Sequence, residues 1–113
     1  MAARNALSRA PPHAVELALS RLGADLRTAR LHRNLTLDEV AARIGAGRRA
    51  VADAEHGKAT TAIAVYAGLL WAYDLLGGLE HLADPAGDEE GQTLAKAQGR
   101  TRARRAGGLD NDF

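Results

Sequence analysis

The sequence predicts an all-α protein, and three observations carry that prediction. Of its 52 hydrophobic residues, 25 are alanine and 16 leucine, while valine and isoleucine together supply six and the aromatics four. Alanine and leucine lead the helix scale, whereas strands draw on β-branched and aromatic side chains. Apolar positions recur at intervals of three and four, the period of a helix face. Gly45, Gly57, the Gly77-Gly78 pair and Pro85 then punctuate those periodic stretches. At 113 residues the chain fits one small domain with tails. Such a chain buries roughly 60 to 70% of its unfolded surface, so its stability alone is modest and association would help it.

Residues 1–12 read as a flexible leader ending in Pro11-Pro12. From His13, Val15, Leu19, Leu22, Leu26 and Ala29 line one face of a first helix, which closes near His32-Arg33-Asn34. Gly23 weakens it by about 1 kcal/mol relative to alanine. The second helix opens sharply: Thr36 is an N-cap, and Glu39 three residues on completes a capping box. Leu35 before the cap can staple onto Val40, and Leu37, Val40, Ala41 and Ile44 form the apolar face. Gly45 stops this helix in the C′ position that glycine prefers. After the short joint Ala46-Gly47, a third helix runs from Arg48 to His56 and ends at Gly57.

Beyond a small-residue loop, Ile63, Val65, Tyr66, Leu69, Leu70, Trp71, Tyr73, Leu75 and Leu76 make a segment that is hydrophobic nearly all round. A helix of that kind must be buried by something. Tyr66, Leu70, Trp71 and Leu75 are the residues assigned to the core or to a dimer seam. Gly77-Gly78 breaks the run, and Leu79, Leu82 and Ala83 suggest a short fifth helix ending before Pro85. Residues 85–113 hold glycine, charge and few large apolar groups, the composition of a mostly disordered tail. The expected domain is therefore 13–84, five helices between flexible ends.

Several functions are excluded at this stage. There is no cysteine, so disulfide scaffolds, thiolate zinc sites and thiol catalysis drop out. No apolar run approaches the ~20 residues of a membrane span, and the start lacks a signal-peptide core, so a cytoplasmic location is the default. His13, His32, His56 and His81 are scattered without i,i+4 pairing, which argues against a metal site. Only Ser8 and Ser20 carry serine hydroxyls, and no glycine-rich phosphate loop follows a strand. An enzyme is not expected, nor a cofactor. The net charge of +1 conceals segregation: residues 1–61 carry 10 basic and 6 acidic groups, 62–98 carry 1 and 6, and 99–113 carry 4 and 2.

Two short helices joined by a three-residue, glycine-containing turn are the helix-turn-helix signature. In that motif the second helix enters the major groove with its N-terminal residues on base edges. Ala41 permits the close helix crossing, Gly45 makes the turn and Val51 faces inward. Arg48 and Arg49 stand at the N-terminal turn of the second helix, where the dipole favours anions instead. As an unpaired couple they point to a polyanion, through bidentate contacts to guanine or to phosphate. Asp53 either reads cytosine or repels phosphate, and Thr36 and Lys58 are phosphate candidates.

The run Leu35-Thr-Leu-Asp-Glu-Val-Ala-Ala-Arg-Ile-Gly-Ala-Gly-Arg-Arg-Ala-Val-Ala-Asp-Ala-Glu-His-Gly-Lys58 resembles the phage-repressor-like (Cro/xenobiotic-response-element) helix-turn-helix family. That resemblance implies a five-helix, lambda-repressor-like fold, with DNA contacts at Thr36, Gly47, Arg48, Arg49, Ala52, Asp53 and Lys58. It also implies an ion pair between Arg30 and Glu55 that joins the first helix to the third. The chain departs from the family pattern at Gly47 and Ala52, where serines are usual, and at Leu37, where many relatives carry glutamine. The later Leu-Ala-Asp-Pro segment, the basic run and the closing Gly-Leu-Asp-Asn-Asp-Phe are similar to the HipB-like branch. That similarity implies a bacterial, nucleoid-associated homodimer on a palindromic operator that represses its own operon and binds a HipA-like kinase toxin. The terminal Leu109, Asp110, Asn111, Asp112 and Phe113 would then be an element inserting into that partner. The alternatives are a stand-alone regulator of the same family, or chiefly a protein-interaction module with weak DNA binding. The cluster Arg100, Arg102, Arg104 and Arg105 reads as a solvated charge run, a track for the DNA backbone, or a dock for an acidic partner.

Overall fold

In a computed structural model, residues 6–109 are described, and among them every regular element is helical. The chain divides into two compact units at Leu79–Glu80.

The first unit opens with a single turn, α1 (Ala6–Arg9), in the leader that the sequence suggested would be flexible. Pro11-Pro12 ends it, because proline cannot supply the next amide to the turn. The Pro12 carbonyl accepts from the Val15 and Glu16 amides at 3.0 Å each and so starts α2 (His13–His32). α2 ends at Arg33, with Asn34 at φ 56°, a left-handed conformation that asparagine tolerates. Next come α3 (Leu37–Ile44) and α4 (Arg48–Glu55), each of eight residues, and then α5 (Ile63–Ala72). Asp74, at φ 61°, terminates α5 three residues before the glycine pair that the sequence pointed to. The Leu75 amide bonds back to Leu70 O at 2.7 Å and closes the end. The fifth helix anticipated through Ala83 is reduced to one turn, α6 (Gly77–Glu80). Two glycines at its start lower its propensity, and Leu82 remains 78% exposed.

The core of this unit consists of Leu26, Val40, Ala41, Val51, Ala54, Tyr66, Leu69 and Tyr73, with Leu22, Leu35, Ile44 and Leu70 among the residues packed around it. α2 packs on α4, α3 on α4 and α5, and α4 on α5. At the α2–α4 crossing the backbones themselves nearly touch. A Cβ on Gly23 would lie 2.5 Å from Ala54 O, 2.6 Å from Glu55 O and 2.7 Å from Gly57 N. Gly23 is buried, so the residue that weakens α2 locally is the one that admits α4.

In the second unit, Asp84 caps a 3₁₀ turn (Pro85–Gly87), its Oδ1 accepting from the Ala86 amide at 2.9 Å. Asp88 then accepts from the Gly91 amide at 2.9 Å and launches α7 (Glu89–Leu109), 21 residues long. This corrects the expectation of a mostly disordered tail. Absence of a core argued for disorder, but the local terms favour helix: a side-chain cap, acids in the first turn, and Ala, Gln, Lys and Arg through the middle. No helix among the described residues is long and apolar enough to cross a membrane.

Candidate nucleic-acid interface

The candidate site is built on α3, α4 and the joint between them. Thr36 caps α3 with its Oγ1 accepting from the Glu39 amide at 3.0 Å, while Glu39 Oε1 accepts from the Thr36 amide at 2.8 Å. The Thr36 hydroxyl is therefore a cap acceptor, and its side chain is exposed at the α3 N-terminus. At the other end Gly45 adopts φ 75°, and the Ala46 amide returns to Ala41 O at 2.9 Å. That left-handed closure is open to glycine at no steric cost and turns the chain sharply into α4.

Gly47 is the N-cap of α4, extended at φ −82° and ψ 155°, with no side chain to cover the first amides. The inward positions of α4 are Val51 and Ala54, both fully buried. Glu55 also turns inward and receives Arg30 from α2 in a two-pronged contact, Nε at 2.7 Å and Nη2 at 3.1 Å. Nη1 of Arg30 donates to Leu35 O at 2.9 Å, so all three guanidinium nitrogens are engaged. The two side chains are 9% and 6% exposed. The hydrogen bonding to Glu55 raises the Arg30 pKa above its ordinary value, outweighing the opposing effect of burial. This clamp fastens the C-terminal end of α4 to α2 and leaves the N-terminal turn projecting.

On that turn Arg48 and Arg49 are exposed, but they are not unpaired as the sequence suggested. Arg48 Nε lies 3.9 Å from Asp38 Oδ1 on α3, both side chains well solvated. Arg49 Nε lies 3.4 Å from Asp53 Oδ1, one turn on in α4. Lys58 Nζ approaches the same Asp53 oxygen at 3.2 Å. The hydrogen bond from Lys58, then the charges of Lys58 and Arg49, hold the Asp53 carboxyl below the usual carboxylate range. Asp53 thus bridges two of the expected phosphate ligands, and its repulsion of phosphate is partly neutralised. Solvent-screened pairs of this kind contribute little to stability and leave the cations open to another anion. Ala52 is half-buried and presents a methyl group, its carbonyl taken by the His56 amide at 3.1 Å and by His56 Nδ1 at 2.8 Å.

The four α5-region residues separate. Tyr66 is buried and donates its hydroxyl to Lys58 O at 2.8 Å, which ties the loop after α4 to the core, and Leu70 is partly buried. Trp71 is 60% exposed and Leu75 48% exposed, alongside Ile63 at 73%. Leu109 closes α7, while Asp110, Asn111, Asp112 and Phe113 lie outside the described residues. Residues the sequence reading missed include Asp38, which faces Arg48, and Arg33. Arg33 donates to Tyr73 O at 3.0 Å and stacks 5.2 Å from the Tyr73 ring centroid. The i,i+4 spacing of Arg49 and Asp53 was a signal for their pairing; nothing local signalled Asp38 or Tyr73. Comparison with family models, with curated proteins and with solved structures finds no match for this chain.

Proposed function

We propose that this protein is a sequence-specific DNA-binding repressor in which α3, the Gly45–Gly47 joint and α4 form a helix-turn-helix. The observation that carries the reading is the polarity of α4. Its C-terminal end is locked by a buried Arg30–Glu55 pair, while its first turn projects two exposed arginines and an uncapped row of amides. Cations and open amides together suit phosphate and the guanine edge. The exposed Ile63, Trp71 and Leu75 support a homodimer formed through the α5 side of the domain. Two copies of α4 about 34–36 Å apart would then match half-sites one helical turn apart in a palindromic operator. Within that reading the chain acts as the antitoxin of a HipA-like kinase and represses the operon encoding both.

The test is binding to the protein's own promoter region followed by fluorescence anisotropy. Arg48→Ala and Arg49→Ala should each weaken binding by about 1–3 kcal/mol, or roughly 5- to 150-fold, and relax discrimination at one base pair. Wild-type affinity in both variants would overturn the assignment.

A second reading is a module whose main task is to neutralise a protein partner, with weak DNA binding. The ion pairs that occupy Arg48, Arg49 and Lys58 favour it, as does the exposed tryptophan. Co-expression with the product of the neighbouring gene separates the readings. Complex formation that persists while promoter binding is absent would select the second.

A further inference from the structure

We infer that α7 is a second nucleic-acid element: its cationic stretch from Lys96 to Arg105 binds the phosphates of duplex DNA, independently of sequence. Between Gly91 and Leu109 the helix carries Lys96, Arg100, Arg102, Arg104 and Arg105 and no acidic residue. All five are exposed, and among the described residues none of them meets a carboxylate. Their spacing forms two rows. Lys96, Arg100 and Arg104 follow one another at i,i+4, and Arg102 and Arg105, at i,i+3, stand on the opposite face.

Helix stability does not explain this arrangement. The dipole favours cations in the last turn, but its influence fades within that turn, and Lys96 and Arg100 lie well before it. Like charges at i,i+4 oppose each other, so the Lys96–Arg100–Arg104 row disfavours the isolated helix. A polyanion removes that repulsion. Of the polyanions, a duplex fits the two-sided layout: a helix about 10–12 Å across enters a major groove about 12 Å wide and faces a phosphate wall on each side. A flat acidic protein patch would engage one row and leave the other in solvent. A membrane surface requires a broad apolar face, and Leu94 is the one large apolar side chain from Glu89 to Ala106. This inference goes beyond the reading of α4 and does not depend on it.

The experiment measures the salt dependence of full-length protein binding to a labelled duplex of arbitrary sequence, outside the protein's own promoter. Each phosphate contact contributes about 0.9 to the slope of log K against log salt. The variant R100Q/R102Q/R104Q/R105Q should lower the slope by up to about 3.6. Across a fourfold rise in salt the wild type then loses about a hundredfold more affinity than the variant. The charge-preserving R100K/R102K/R104K/R105K should keep the wild-type slope. A slope change below about 1 in the glutamine variant overturns the inference. So does equal loss in the lysine variant, or tighter capture by phosphatidylserine vesicles or single-stranded RNA than by the duplex. Promoter preference that survives in the glutamine variant with an unchanged slope would remove this inference and leave α4 as the reader. A slope loss in a protein without promoter preference would do the reverse.

Discussion

Replacing Glu55 by alanine should destabilise the first unit more than any change to the visible surface charges. The acid accepts two charge-assisted bonds from Arg30, at 2.7 and 3.1 Å, between side chains that are 9% and 6% exposed. Without it, the guanidinium keeps a single bond, from Nη1 to Leu35 O at 2.9 Å, and remains a largely buried cation. Breaking a buried pair in this way costs about 3–5 kcal/mol, because the loss includes the desolvation of the stranded charge. Glu55→Gln retains one acceptor oxygen and should cost less, about 1.5–3 kcal/mol. The exposed Arg48–Asp38 contact at 3.9 Å sets the contrast: Asp38→Asn should cost no more than about 1 kcal/mol.

Native domains hold only about 5–15 kcal/mol in all, so the Glu55→Ala loss is a large fraction of the whole. Urea unfolding followed by circular dichroism would report it as a lower midpoint at unchanged slope. Thermal melts would fall by at least about 12 °C, taking about 4–8 °C per kcal/mol for a domain of this size. The double variant R30M/E55L replaces the ion pair with apolar groups of similar length and should recover most of the loss. A Glu55→Ala cost below about 1 kcal/mol, or a double variant no better than the single, would refute the claim that this pair anchors α4.

Gly23→Ala should destabilise by about 1–3 kcal/mol despite alanine's better helix propensity, since its Cβ meets three backbone atoms at 2.5–2.7 Å; a raised urea midpoint would contradict the close crossing. Tyr73 and Tyr66 should diverge on removal of their hydroxyls. The Tyr73 hydroxyl is buried with no hydrogen-bond partner among the described residues, so Tyr73→Phe should be neutral or stabilising, whereas Tyr66→Phe should cost about 0.5–1.5 kcal/mol in the same unfolding assay. Because Lys58 and Arg49 depress the Asp53 pKa, the stability from this carboxylate is present above the ordinary aspartate value of about 3.9 and fades as pH falls through its lower folded value. The melting-temperature gap between wild type and Asp53→Asn should accordingly close on acidification, and a gap that persists at low pH would show that charge pairing is not its source.

What could be read from the sequence was settled within a few residues of chain. The Thr36–Glu39 box and the left-handed Gly45 are local geometry, so residue types at fixed spacing specify them. Val51 and Ala41 face inward as the helical period requires. Other features depend on partners distant in sequence. Gly23 looks like a defect in α2 until α4 arrives, more than thirty residues later, to use the space. α5 is apolar all round, so no period could choose Tyr73 for the interior and Trp71 for the surface; packing against α3 and α4 decides it. α7 is the opposite case: it has no core to bury, and its helix rests on the Asp88 cap and the helix-favouring residues of its middle.

The placement of Arg48 and Arg49 follows from the same division. Eight residues are too few to sustain a helix in water without tertiary contacts. The direction of α4 is therefore imposed from outside it. At its start, the turn through Gly45 sets its angle to α3; at its end, Arg30 grips Glu55 and the backbone passes against Gly23. The second constraint acts through buried groups, the first through the backbone of an exposed glycine, and neither arginine contributes to the core. The two arginines can therefore be exchanged at little cost to the fold, whereas Glu55 and Gly23 cannot. If the proposed function holds, this construction of α4 predicts loss of DNA binding with intact stability on changing Arg48 or Arg49, and loss of both on changing Glu55 or Gly23.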